Sequence, residues 1–295
     1  MIKNKLFLII KSKTCILILK METVRKMTDN TSKLNVKKLT LIVIVVWVIL
    51  GLIFGFYDLA ISIAVIDEAS IWGNFGADYG EIPGYALIAI ALATLLGSLF
   101  TNLKMQKIPG YVGVVVGVLF ILFIDDEGYI NIGWSLIFSL LIYTIITWNK
   151  DWKRYRNISG VIALLAVINP LLFVQITKIL CGRVRFRDLE TGYTNFTPWF
   201  LPPGISGGGS SFPSGHAAMG WMFLPLLIAV KDRKIKDPLR IIITILVIGW
   251  GLFVALSRIA VGAHYASDVL FSTGAAIIIT IFFYSKYYNK KEKII

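Results

Sequence analysis

The chain has 295 residues, of which 57% are hydrophobic and only 16% charged, with a mean hydropathy of +0.76. Soluble domains carry about 25% charged residues, so the composition excludes an ordinary water-soluble globule. A net charge of +13 raises nucleic acid as a partner, but the basic residues are distributed in a way that points to a bilayer instead.

Residues 1–38 form a basic lead. Its stretch 6–19 is apolar but broken by Lys11 and Lys13, too short and too charged to span a membrane. No small-residue cleavage site follows, so a surface-lying or irregular cytoplasmic segment is expected rather than a signal peptide. Eight apolar runs then follow, near 39–57, 83–100, 109–124, 131–148, 158–178, 215–230, 240–257 and 267–285. Each approaches the 17–25 residues that a helix needs to cross a bilayer. The expected fold is all-α, a polytopic helical bundle of about eight spans.

With the N-terminus in the cytoplasm, alternation through eight spans puts 25 of the 30 Lys and Arg residues inside, including those of the tail 286–295. That is the bias the positive-inside rule describes, and it predicts both termini cytoplasmic. The outer connections gather acids: Asp58, Asp67, Glu68, Asp78 and Glu81, then Asp125, Asp126 and Glu127. Five basic residues remain outside: Lys178, Arg183, Arg185, Arg187 and Arg258. Cations concentrated on a basic-poor face imply an anionic ligand there. Nucleic acid is not expected as a partner.

The connection 58–82 is acidic and aromatic, with Ile71-Trp72-Gly73-Asn74-Phe75, and reads as carrying a short interfacial helix. The connection 179–213 is long and ends in Gly207-Gly208-Gly209, which lets the chain bring residue 178 back to residue 216. Cys15 and Cys181 are expected on opposite membrane sides, so no disulfide is predicted, and no metal-ligand spacing exists.

Three polar motifs interrupt the apolar pattern. Lys178 and Arg185 lie at the outer end of the fifth span; alone, the lysine reads as a snorkelling side chain. Phe212-Pro213-Ser214-Gly215-His216 opens the sixth span, with Ser214 placed to cap the helix and its N-terminus available to an anion. Ser257-Arg258 ends the seventh span, and His264 and Asp268, four apart, stack on one face as the eighth begins. Asp268 can then accept from one imidazole nitrogen and leave the other free to attack phosphorus. A capped helix with an interfacial histidine and a structural His–Asp pair are the plain alternatives. Alternation of the spans, however, puts all three motifs on one face. His216 and His264 are the only histidines in the chain. Two imidazoles, three cations and a carboxylate suit displacement at phosphorus.

These motifs resemble those of the type 2 phosphatidic acid phosphatases, a superfamily shared with glucose-6-phosphatase and the vanadium haloperoxidases. The family's first motif is a lysine, six residues, then Arg-Pro. Lys178 and Arg185 match it, and Phe186 stands where proline is usual. The second, Pro-Ser-Gly-His, is intact at residues 213–216. The third is matched in full by Ser257, Arg258, His264 and Asp268. The resemblance implies a phosphatase core over 109–285, leaving 39–108 as two additional spans with the outer loop 58–82. It implies His264 as nucleophile through a phosphohistidine, Asp268 as its orienter, and His216 as acid for the leaving group and then base for water. Lys178, Arg185, Arg258, Ser214 and Gly215 are implied as the phosphate cradle, with no metal and no cofactor.

The expected activity is hydrolysis of a lipid phosphate or diphosphate at the outer membrane face. Candidates are phosphatidic acid, phosphatidylglycerophosphate and undecaprenyl diphosphate. Two alternatives stay open: a lipid phosphotransferase on the same site, and a non-catalytic transporter or receptor for phospholipid anions.

Overall fold

The computed structural model describes residues 36–288. The basic lead up to residue 35, with Cys15, and the last seven residues of the tail lie outside the described residues.

Every regular element among the described residues is helical. In chain order, α1 is Val36–Val65, α2 Ile71–Tyr79, α3 Ile82–Gly97, α4 Ile108–Phe123 and α5 Glu127–Ile146. Next come α6 (Arg156–Ala166), a π-helical stretch (Val167–Val174) and α7 (Gln175–Cys181), which run on without a break. After a long connection come α8 (Gly215–Gly220), α9 (Leu226–Val230), α10 (Pro238–Ala260) and α11 (Ala266–Tyr288). Seven helical stretches among the described residues are long and apolar enough to cross a membrane. The polytopic all-α bundle is therefore as expected.

The boundaries follow local chemistry. Asp126 caps α5 by accepting from the amides of Gly128 and Tyr129, and Asp237 caps α10 through those of Leu239 and Arg240. Pro83, Pro109 and Pro238 occupy the first turns of α3, α4 and α10, where a missing N–H removes no helical bond.

Two expectations are corrected. The sixth run, 215–230, is not one regular α-helix. It is two short helices joined by a 3₁₀ turn, Trp221–Phe223, with Pro225 just before α9. Proline has no N–H to continue the ladder. The first run extends past residue 57, so Asp58 belongs to α1 and not to the connection after it. It is fully buried there, because a cation from the far half of the chain meets it.

The core lies where α3, α6, the broken sixth segment, α10 and α11 meet, with Leu87, Leu165, Trp221, Met222, Val247 and Ala276 buried together. The most enclosed long helix is α11. Its buried face carries small residues (Ser267, Ser272, Gly274, Ala275, Ala276) that let neighbouring backbones approach, as in membrane helix packing. The helix α2 packs against α10, with Trp72 and Phe75 facing the Phe253 ring.

The connection 182–213 returns along itself. Gly204 N–H donates to Cys181 O, Gly209 N–H to Gly182 O and Ser211 N–H to Arg183 O. A Cβ on Gly209 would stand 2.2 Å from the Arg183 carbonyl oxygen, so the return requires glycine there. This brings the end of α7 beside the start of α8. The C-terminus of α10 and the N-terminus of α11 complete one end of the bundle.

Candidate active site

His264 sits in the connection between α10 and α11, 2% exposed. Its Nδ1 is 2.6 Å from the Ser211 carbonyl oxygen. A carbonyl can only accept, so Nδ1 carries the hydrogen and Nε2 keeps its lone pair. Asp268 Oδ2 lies farther from Nδ1, at 3.5 Å. The expectation that Asp268 alone orients this ring is thus refined. Ser211 holds the ring through its carbonyl, while its hydroxyl donates to Asp268 Oδ2 at 2.5 Å. Asp268 acts on the imidazole both through space and through Ser211. Burial pushes the His264 pKa down to about 4, against the raising pull of the Asp268 carboxylate. The ring is neutral at pH 7 and able to act as a nucleophile.

Asp268 has a second attachment. Arg183 Nη1 donates to Asp268 Oδ1 at 2.6 Å and to Ser267 Oγ at 2.9 Å, while Nη2 donates to Asp58 Oδ2 at 3.0 Å. Asp58 also accepts from the Ser267 amide at 2.9 Å and hydroxyl at 2.5 Å, so it caps α11 from another helix. Arg183, Asp58 and Asp268 are all fully buried, and Tyr265 covers the guanidinium at 3.9 Å. In sequence, Arg183 stands beside the motifs with no role of its own, and Asp58 reads as part of the outer connection 58–82. A cation two residues before the motif arginine was the signal for the first. Nothing in the sequence pairs it with a residue 125 positions earlier.

The cations gather around the start of α8. Lys178 Nζ stands 3.7 Å from where a Cβ on Gly215 would be, and it interacts electrostatically with Arg185, Arg258, Glu81 and Asp268. Arg185 Nη2 donates to Ser210 Oγ at 3.1 Å. The Nε atoms of Arg185 and Arg258 are buried and have no hydrogen-bond partner among the described residues. Buried unpaired N–H groups are rare, and here two cations near enough to repel each other each carry one. Ser214 caps α8 as expected, accepting from the Ala217 amide at 3.3 Å, and its own amide donates to Asp268 O.

Phe186, in the position where proline is usual, starts a short 3₁₀ turn. It is buried, stacked on Tyr193 and edge-on to Tyr265. Arg185 before it is nevertheless extended (φ −73°, ψ 153°), the conformation a following proline would impose. The motif's geometry is kept by aromatic packing instead of a ring closure.

His216, in the first turn of α8, makes contacts outside the three motifs. Its Nδ1 is 2.9 Å from Glu81 Oε1, and its Nε2 is 3.0 Å from the Ala77 carbonyl oxygen. All eight residues singled out by sequence therefore lie at the same end of the bundle. His264 is tied through Ser211 to the loop that leads into α8, the helix that carries His216.

A profile of the PAP2 superfamily matches residues 159–292, which contain every one of these eight residues. The lipid A 4'-phosphatase of Francisella tularensis subsp. novicida (strain U112) is 32% identical over 170 residues, covering 56% of this chain and 73% of that protein. The chain belongs to the PAP2 superfamily. No solved structure matches it. Asp58, Ala77 and Glu81 of this PAP2 protein lie before the matched segment, yet each touches the site.

Below the site an apolar groove of about 410 Å³ opens between α3 and the α6–π-helical stretch. Glu81 and Gly215 stand at its polar end. Tyr85, Ile88 and Leu92 line one wall, and Val167 and Leu171 the other. Residues 81, 85, 88 and 92 share one helix face, so the groove descends about 16 Å along α3.

Proposed function

We propose that this protein is a membrane phosphatase that releases phosphate from a lipid phosphate or diphosphate through a phosphohistidine on His264. The observation that carries the reading is the meeting, at one end of the bundle, of a neutral, Nδ1-anchored imidazole with two arginines whose buried Nε groups lack partners among the described residues. In the proposed reaction, His264 Nε2 attacks phosphorus. Lys178, Arg185 and Arg258 hold the phosphoryl oxygens as charge develops. His216 gives its Nε2 proton to the leaving oxygen, then takes one from the water that opens the phosphohistidine. Ser214 and Gly215, at the start of α8, form the rest of the cradle.

The groove supports a lipid substrate, since its apolar walls continue from the phosphate end toward the middle of the bundle. The name of the Francisella relative points the same way. The strong bias of Lys and Arg toward one set of loops supports an active site on the outer face.

Phosphate release by purified protein in detergent tests the reading. The panel holds phosphatidic acid, phosphatidylglycerophosphate, undecaprenyl diphosphate and lipid A. Release from at least one of them, abolished by His264→Ala, is expected. Labelled phosphate that ends on another lipid and never in solution would make the protein a phosphotransferase. Binding without turnover would make it a receptor or transporter.

A further inference from the structure

Glu81 is assigned no role by the three motifs, and it lies in the junction between α2 and α3, before the segment that matches the superfamily. Its carboxylate nevertheless reaches across to α8. Oε1 is 2.9 Å from His216 Nδ1, and Oε2 accepts from the Tyr85 hydroxyl at 3.2 Å. The other ring nitrogen of His216 faces the Ala77 carbonyl at 3.0 Å. Both ring nitrogens thus face acceptors, and only a ring carrying a hydrogen on each satisfies both.

We propose that Glu81 is a positioning residue for His216. It holds the Nδ1–H so that the hydrogen on Nε2 points at the leaving oxygen of the substrate. The site would then contain two oriented imidazoles of opposite purpose. His264 has Nδ1–H on a carbonyl and an Nε2 lone pair to attack with, and His216 has Nδ1–H on a carboxylate and an Nε2–H to give. The Ala77 carbonyl stands where an acceptor from the substrate takes over. This proposal rests on the reading of His216 as the acid in phosphoryl transfer.

The step balances. As the His264 Nε2 lone pair forms its bond to phosphorus, the bond from phosphorus to the leaving oxygen breaks, and its electron pair stays on that oxygen. The His216 Nε2 proton goes to the same oxygen. His216 is left neutral, still donating Nδ1–H to Glu81. A water molecule then gives a proton to His216 Nε2 while its oxygen attacks the phosphohistidine. Phosphate leaves, and His264 and His216 return to their starting states.

The fold explains why the extra segment is needed. Glu81 follows α2 directly, and the aromatic contacts of Trp72 and Phe75 with Phe253 seat α2 on α10, which places the carboxylate beside α8. Tyr85, one turn on, braces the far carboxylate oxygen.

The test uses two phosphate monoesters that carry the same alkyl tail and are dispersed in the same detergent. One leaves as an aliphatic alcohol and needs a proton; the other leaves as a nitrophenolate and does not. The ratio kcat/KM reports the steps up to transfer onto His264. Glu81→Gln is expected to lower kcat/KM about tenfold or more for the alcohol ester, a part of the 10²–10⁴-fold that general acid catalysis contributes in full, and to spare the nitrophenyl ester. Tyr85→Phe, a milder change, is expected to lose less but in the same selective direction. Equal loss on both esters in both variants would mean that Glu81 serves only the fold, and would overturn the proposal. His216→Ala is the control that separates the two ideas. If it shows the selective loss while both other variants behave as the parent, Glu81 is excluded and the acid role of His216 stands. If it shows no selectivity, the acid role itself fails.

Discussion

Arg183 Nη1 lies 2.6 Å from Asp268 Oδ1, and both side chains are fully buried. The same guanidinium reaches Asp58 of α1 at 3.0 Å, so one cation serves two carboxylates in a dry setting. Removing one member of a buried pair leaves uncompensated charge, which costs about 3–5 kcal/mol. Arg183→Ala should therefore express poorly or melt well below the parent. Arg183→Lys keeps the charge but loses the planar fork. It should fold and show a reduced kcat with little change in KM, because Asp268 and Ser211 no longer hold His264 firmly. Steady-state kinetics with a melting curve in detergent checks this; a lysine variant as active as the parent would contradict it.

The site was legible from sequence because its chemistry is incompatible with its surroundings. Histidine, arginine and aspartate at helix ends in an apolar chain call for an explanation, and the spacing of His264 and Asp268 survives in the fold as a contact between the turn before α11 and its first turn. The supporting shell was not legible. Asp58 sits in an apolar helix and pairs with Arg183 only after six intervening helices have packed. Glu81 reads as one more acid in an acidic loop until α2 folds against α10. The broken sixth segment was missed for a different reason: composition measures greasiness, while Pro225 decides geometry.

Filling the groove separates lipid recognition from chemistry. Ile88 and Leu92 line the groove on the face of α3 that descends from Glu81. Ile88→Trp should raise KM several-fold for long-chain lipid phosphates and leave a short water-soluble phosphate ester unaffected. Equal kinetics for the long-chain substrates in parent and variant would show that the apolar chain lies elsewhere.

Stability should depend on pH through His264. Its unfolded pKa is about 6.5, and burial holds the folded value down to about 4. The unfolded chain binds a proton that the folded chain refuses. The contribution is therefore complete above pH 6.5 and is lost as pH falls toward 4. The loss is on the order of 3 kcal/mol, at 1.36 kcal/mol per pKa unit. Melting temperatures across that window should fall for the parent and fall less for His264→Asn, which retains a donor for the Ser211 carbonyl. Parallel curves would contradict the assignment.

Arg258 should act mainly on the transition state. Its Nε is buried and without a partner among the described residues, while its backbone carbonyl accepts from the amides of Ala263 and His264 and so shapes the turn. Arg258→Ala leaves that backbone turn and removes only the guanidinium. It should lower kcat and kcat/KM together; a higher KM at unchanged kcat would make it a ground-state binder instead.

The proposed mechanism requires a covalent phosphoryl group on His264. Rapid alkaline quench of the protein turning over a lipid with labelled phosphate, followed by peptide mapping, detects that group. Label on the peptide containing residue 264, acid-labile and absent from His264→Asn, is the predicted result. Turnover that persists in His264→Asn, with no label on that peptide in the parent, would contradict it.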